Sequence, residues 1–143
     1  MGLTKVSLDT NILLYFFEDS GPRGARATQI VSALSARGDF LIISTLTLGE
    51  LLVKPLKFGD HALASLYRNF VHSQGVRLLG FDEAASERFA RIRQDKQIKQ
   101  PDAVLLATAA SEGCDLFITN DLRLAGKVVP GIKFIVSMAN API

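Results

Sequence analysis

Short apolar, β-branched runs alternate with longer helical patterns along the whole chain, and this alternation limits the possible folds more than any other feature. The runs are Lys5 to Leu8, Phe40 to Ile43, Val76 to Leu79, Leu116 to Thr119 and Lys133 to Val136. Strands separated by helices imply a mostly parallel sheet covered on both faces. The expected architecture is α/β, a three-layer α/β/α sandwich around about five strands. No repeat, linker or low-complexity tract interrupts residues 1–143, which read as a single domain.

The intervening segments carry helix signals. One begins near Thr10, and Arg23 to Ala36 places Ala27, Ile30, Val31 and Leu34 on one face. Thr45 to about Phe58 reads as a helix that Pro55 kinks or ends. Gly59-Asp60 opens another, through about His72. Glu83 to about Lys96 is amphipathic with Phe89 and Ile92 inward, and Pro101 to Glu112 is a more apolar helix led by proline.

Composition excludes several classes. With 48% hydrophobic and 21% charged residues the chain is not disordered. A formal charge of +2 neither requires a nucleic-acid partner nor excludes one. The one cysteine, Cys114, has no partner for a disulfide or a zinc site and reads as a buried thiol before a strand. No basic region precedes a long apolar run at the N-terminus, so no signal peptide is expected. The apolar stretch Ile12 to Phe17 is too short to span a bilayer, and the expected location is the cytoplasm.

Four acids stand out. Asp9 and Asp121 follow strand ends, where parallel sheets bind ligands. Asp102 follows Pro101 in the first turn of a helix, and Glu50 lies within a helix among leucines, after Gly49. Each has a structural explanation: Asp9 as an N-cap, Asp102 at a favourable dipole end, Asp121 in an Asn-Asp turn, Glu50 paired with Lys54. A mid-helix glycine costs about 1 kcal/mol relative to alanine, which predicts a close approach at Gly49.

Together the four favour a different reading. In a parallel sandwich they can border one edge, and carboxylates brought together raise one another's pKa. Mg²⁺ or Mn²⁺ removes that conflict through oxygen ligands, with Asp9, Glu50, Asp102 and Asp121 as the ligand set. Two such ions about 3.5–4 Å apart activate a water and stabilise the leaving oxygen of a phosphodiester. Thr10, Asn11, Thr119 and Asn120 are placed to orient the carboxylates or bound waters.

Four segments carry a family resemblance: Leu8-Asp9-Thr10-Asn11-Ile12-Leu13, Ser44 through Leu52, Gln100-Pro101-Asp102-Ala103, and Ile118-Thr119-Asn120-Asp121. In this order and spacing the chain resembles PIN-domain proteins, and more closely the VapC-type toxins of bacterial toxin–antitoxin pairs. The resemblance implies a metal-dependent endoribonuclease with RNA as substrate and the same four acids as catalytic residues. It also implies a polar role for Thr119 and, by extension, for Asn11 and Asn120. A small antitoxin that wraps the toxin and a homodimeric assembly are implied as well. Tyr15, Phe16, Phe17, Leu56, Phe58, Leu63, Tyr67 and Phe70 are expected to be mostly core, with a few left for such a partner.

Arg88, Arg91, Arg93, Lys96 and Lys99 read as a solvated helix face paired with Glu87 and Asp95, whereas Arg123 is the better candidate for RNA contact. Without tryptophan no aromatic platform for bases is evident. Rival readings are a housekeeping PIN-type RNA-processing nuclease and a PIN-like module that binds RNA or protein without cleaving. A dehalogenase-like phosphatase would need an aspartate where Asn11 stands, and a receiver domain an acidic neighbour for Asp9.

Overall fold

The computed structural model describes residues 4–143, so the first three residues of the expected 1–143 domain lie outside the described residues. Its strands are β1 (Lys5–Leu8), β2 (Phe40–Ser44), β3 (Val76–Leu79), β4 (Cys114–Thr119) and β5 (Ile132–Ser137). Its helices are α1 (Thr10–Glu18), α2 (Pro22–Arg37), α3 (Thr45–Phe58), α4 (His61–Val71), α5 (Glu83–Ile92) and α6 (Gln100–Glu112). The strand order is β3-β2-β1-β4-β5, and every pairing is parallel.

Successive strand residues face opposite layers, as a pleated strand requires. Val6, Leu8, Leu41, Ile43, Leu116 and Ile118 pack with α1–α4 residues such as Ile12, Ile30, Leu51 and Tyr67. Phe117 and Ile135 point the other way, into a second cluster with Ala85 and Ile92 of α5 and Leu106 and Ala110 of α6. The sheet is thus the middle of three layers. Among the described residues no helix is long and apolar enough to cross a membrane.

Several boundaries differ from the sequence expectation. α5 stops at Ile92 rather than near Lys96, because hydrogen-bonded turns at Gln94 and Asp95 replace its last turn. β4 starts two residues early, at Cys114, since Gly113 in a left-handed conformation (φ 75°) turns directly from α6 into the strand. Cys114 is buried, with burial pushing its thiol up to about 11. Pro55 does not end α3. It sits in the last turn, and its carbonyl accepts from the Gly59 and Asp60 amides that close the helix.

The strand order supplies the functional clue. The chain builds outward from β1 through β2 to β3, then returns to lay β4 on the other side of β1. Such a reversal leaves a crevice at the carboxyl ends of the two central strands, because their connections leave in opposite directions. Leu8 pairs with Ile118 at that edge, so Asp9 and Thr119-Asn120-Asp121 emerge side by side.

Candidate active site

Asp9 caps α1 at the carboxyl end of β1. One carboxylate oxygen accepts from the Ile12 amide at 3.1 Å. The other accepts from the Thr119 hydroxyl at 2.6 Å and the Asn120 amide at 3.0 Å. The helix-cap explanation therefore holds for one oxygen, and the other ties the end of β1 to the loop after β4. Asp9 is only 7% exposed. Burial raises its pKa, the three hydrogen bonds oppose that rise, and the charge of Asp121 adds to it.

Thr119 is fully buried and joins two of the acids. Its hydroxyl donates to Asp9 and accepts from the Asp121 amide at 2.9 Å, so one side chain sets the loop geometry of both. Asn120 contributes its backbone amide to Asp9, while its side chain donates to the Tyr15 hydroxyl at 3.0 Å.

Asp102, half-buried in the first turn of α6, is the third member. Burial raises its pKa, followed by the charges of Asp121 and Asp9, with Arg123 and Lys99 acting in the opposite direction. Asp9, Asp102 and Asp121 thus form one mutually repelling group. Asp121 is held below the usual carboxylate range by Arg123. The guanidinium grips it through two contacts, at 3.1 and 2.9 Å. The predicted RNA contact is therefore engaged with an acid of the site.

Glu50 stands apart. It is exposed on α3, and its carboxylate accepts from the Thr10 hydroxyl at 2.6 Å. Thr10 has one hydroxyl proton and gives it to Glu50, so Thr47, 3.0 Å away, must donate to Thr10. The expected Lys54 partner instead reaches Glu18 at 3.0 Å. Nor do the described residues crowd Gly49: beyond its chain neighbours and its own helix backbone, a Cβ there would meet none of their atoms within 4 Å. The close approach expected there is not made among the described residues. Asn11 lies exposed on the first turn of α1.

Among the described residues no three Asp, Glu, His or Cys side chains converge closely enough to hold one ion. Asp121 is turned to Arg123 and Glu50 to Thr10. The donor chemistry nonetheless fits Mg²⁺ or Mn²⁺, which take carboxylate oxygens, and does not fit zinc sites built on thiolate or imidazole. Thr47, Tyr15 and Lys99 were not legible as site residues. Thr47 carried a faint signal, one turn before Glu50; Lys99 sat within a basic run, and Tyr15 within an aromatic one.

The PIN domain family model matches residues 6–128. The chain belongs to the PIN-domain family. A toxin–antitoxin complex from Klebsiella pneumoniae is 30% identical, covers 89% of this chain and 94% of its own, and has a TM-score of 0.66. VapBC2 from Rickettsia felis, solved with a promoter DNA fragment, is 17% identical over 94% of this chain and 98% of its own, with a TM-score of 0.72. VapC20 of Mycobacterium tuberculosis, described as a toxin that cleaves the sarcin–ricin loop, is 17% identical over 78% of this chain and 86% of its own, with a TM-score of 0.62. No curated protein sequence matches.

Proposed function

We propose that this PIN domain is a Mg²⁺- or Mn²⁺-dependent endoribonuclease acting in the cytoplasm as the toxin of a VapBC-type pair. The observation that carries the reading is the grouping of Asp9, Asp102 and Asp121 at the β1/β4 reversal, with Thr119 tying two of them together. The Klebsiella toxin–antitoxin relative supports the biological role.

When bound, the divalent ions supply an activated water and stabilise the leaving oxygen of an RNA phosphodiester. The chain's residues do the rest. Asp9, Asp102 and Asp121 are the proposed ligands, with Glu50 as the outermost. Thr119 and the Asn120 amide aim Asp9, and Thr10, itself held by Thr47, aims Glu50. Arg123 exchanges its hold on Asp121 for a substrate phosphate, to which a guanidinium binds in a two-pronged fashion. Lys99 adds positive potential beside Asp102 and Asp121.

A small antitoxin covers the apolar surface of α3 and α4, where Val53, Leu56, Phe58 and Leu66 are 65, 56, 70 and 49% exposed. The protein works as a homodimer when free of it. The other aromatics named from the sequence are at least partly buried in the core, Tyr67 completely.

One observation favours a second reading, a PIN module that binds RNA or protein without cutting: Asp121 is already neutralised by Arg123. The same experiment separates them. Purified protein should cleave RNA with Mg²⁺ or Mn²⁺, stop in EDTA, and lose the activity in Asp9→Asn and Asp102→Asn. Equal cleavage by all three proteins rules out the proposed site. Growth arrest on expression, relieved by a co-encoded partner, tests the toxin role separately from a housekeeping nuclease.

A further inference from the structure

A concave feature lies away from the four acids, between the end of α5 and residues 127–130 before β5. It encloses about 220 Å³. Ile92, Ile98, Val129 and Pro130 form an aliphatic floor, and Val128 stands at the mouth, 92% exposed. Three cations, Arg88, Arg91 and Lys127, line it against one carboxylate, Asp95. Lys127 already neutralises that carboxylate at 2.7 Å, so Arg88 is surplus positive charge, while Arg91 has a long, exposed pairing with Glu87.

The arginines differ in how they are held. Arg88 is fixed, donating to the Pro130 carbonyl at 2.9 Å. Its guanidinium lies 2.6 Å from where a Cβ on Gly131 would stand, at φ 97°, so only glycine admits this packing. Arg91 is loose: its side chain is 77% exposed, and its only ion-pair contact among the described residues is with Glu87 at 3.7 Å. A set cation beside a free one, over an apolar floor, suits a ligand that is flat, apolar on its face and flanked by negative charge.

We infer that this cavity is a nucleotide subsite of the RNA substrate, taking one base on its aliphatic floor and the flanking phosphates on Arg88 and Arg91. The inference rests on the nuclease reading above. Its place in the chain links it to the acids. Ile98 precedes Asp102 by four residues, which limits their Cα separation to about 15 Å. Lys127 follows Arg123 by four, along the loop that leaves Asp121. A strand held at Arg123 and Lys99 thus has a short route into the cavity. A protein segment fits less well, because the enclosed space is small and the surplus charge sits on its rim.

The test measures binding of a fluorescent, mixed-sequence single-stranded RNA of about 12 nucleotides, in EDTA so that it survives. Arg91→Glu should weaken binding about tenfold and flatten the dependence of log Kd on log salt by about 0.7. Arg91→Lys, which keeps the charge and loses the two-pronged grip on a phosphate, should fall between it and wild type. Arg68→Glu, the same reversal on an exposed position of α4, should stay within about twofold of wild type. Wild type that cleaves RNA while Arg91→Glu binds like Arg68→Glu overturns the subsite alone. Wild type that neither binds nor cleaves RNA overturns the nuclease reading together with it. Arg91→Glu that binds RNA normally and loses a co-purified protein overturns it in favour of a docking site.

Discussion

Replacing Thr119 by valine isolates the hydroxyl that joins Asp9 to Asp121. Valine has nearly the same shape, so no cavity forms around a fully buried position. What is lost is a hydrogen bond to an ionised carboxylate, worth about 1.5–3 kcal/mol, and the acceptor for the Asp121 amide. Asp121 is partly exposed, so water can take that amide, and removing a buried hydroxyl returns some of the loss. The net cost is about 1.5–2.5 kcal/mol at neutral pH. For a chain of 143 residues this lowers Tm by about 5–10 °C. The chain has no tryptophan, so urea and thermal unfolding are best followed by far-UV circular dichroism. Thr119→Ser keeps both bonds and should cost only about 1 kcal/mol for its missing methyl. The gap between Val and Ser should narrow as pH falls through the raised pKa of Asp9, where the carboxylate takes up its proton. Valine as stable as serine at neutral pH would refute the reasoning.

Asp9 carries a second prediction. Its pKa is higher in the folded chain than its ordinary value, so its proton-linked stability is full below that value and lost as pH rises through the folded pKa. Asp9→Asn is spared that loss but turns an amide –NH₂ toward donors that the carboxylate oxygens now accept from, so its Tm in EDTA should fall less with rising pH than that of wild type, while wild type gains more Tm from added Mg²⁺. Equal Mg²⁺ shifts in the two proteins would remove Asp9 from the proposed ligands. Tyr67→Phe deletes the hydroxyl that, with Lys54, holds Glu18 below its usual range. Glu18 therefore stabilises the fold above its ordinary pKa and loses that contribution as pH falls through its lowered value. The variant should be weaker by about 1 kcal/mol at neutral pH and close to wild type in acid. A difference that stays constant across urea titrations at several pH values would exclude the ion-linked explanation.

The element order was legible because short β-branched runs and helical periodicity are local signals, and parallel pairing follows from their alternation. Helix ends were less legible. The end of α5 and the start of β4 depend on turn bonds at Gln94 and Asp95 and on the left-handed Gly113. Asp9, Asp102 and Asp121 were readable because strand ends and a proline-led helix start have predictable places in such a sheet. Glu50 was not, since its direction depends on the rotation of α3. The Lys54 pairing that was its structural alternative is replaced by Thr10, a residue 40 positions away.

The sequence by itself determined the α/β architecture, the family motifs and the acids that compose the candidate site, all carried by local pattern. Only the tertiary structure decided how those acids are held. Pairing of β1 with β4 brings Thr119 onto Asp9, across 110 residues. Packing of α3 against α1 routes the Thr47 and Thr10 hydroxyls to Glu50, and the loop after β4 folds Arg123 back onto Asp121. Hydrogen bonds of this kind depend on distances of a few tenths of an ångström between remote segments, which no local spacing encodes.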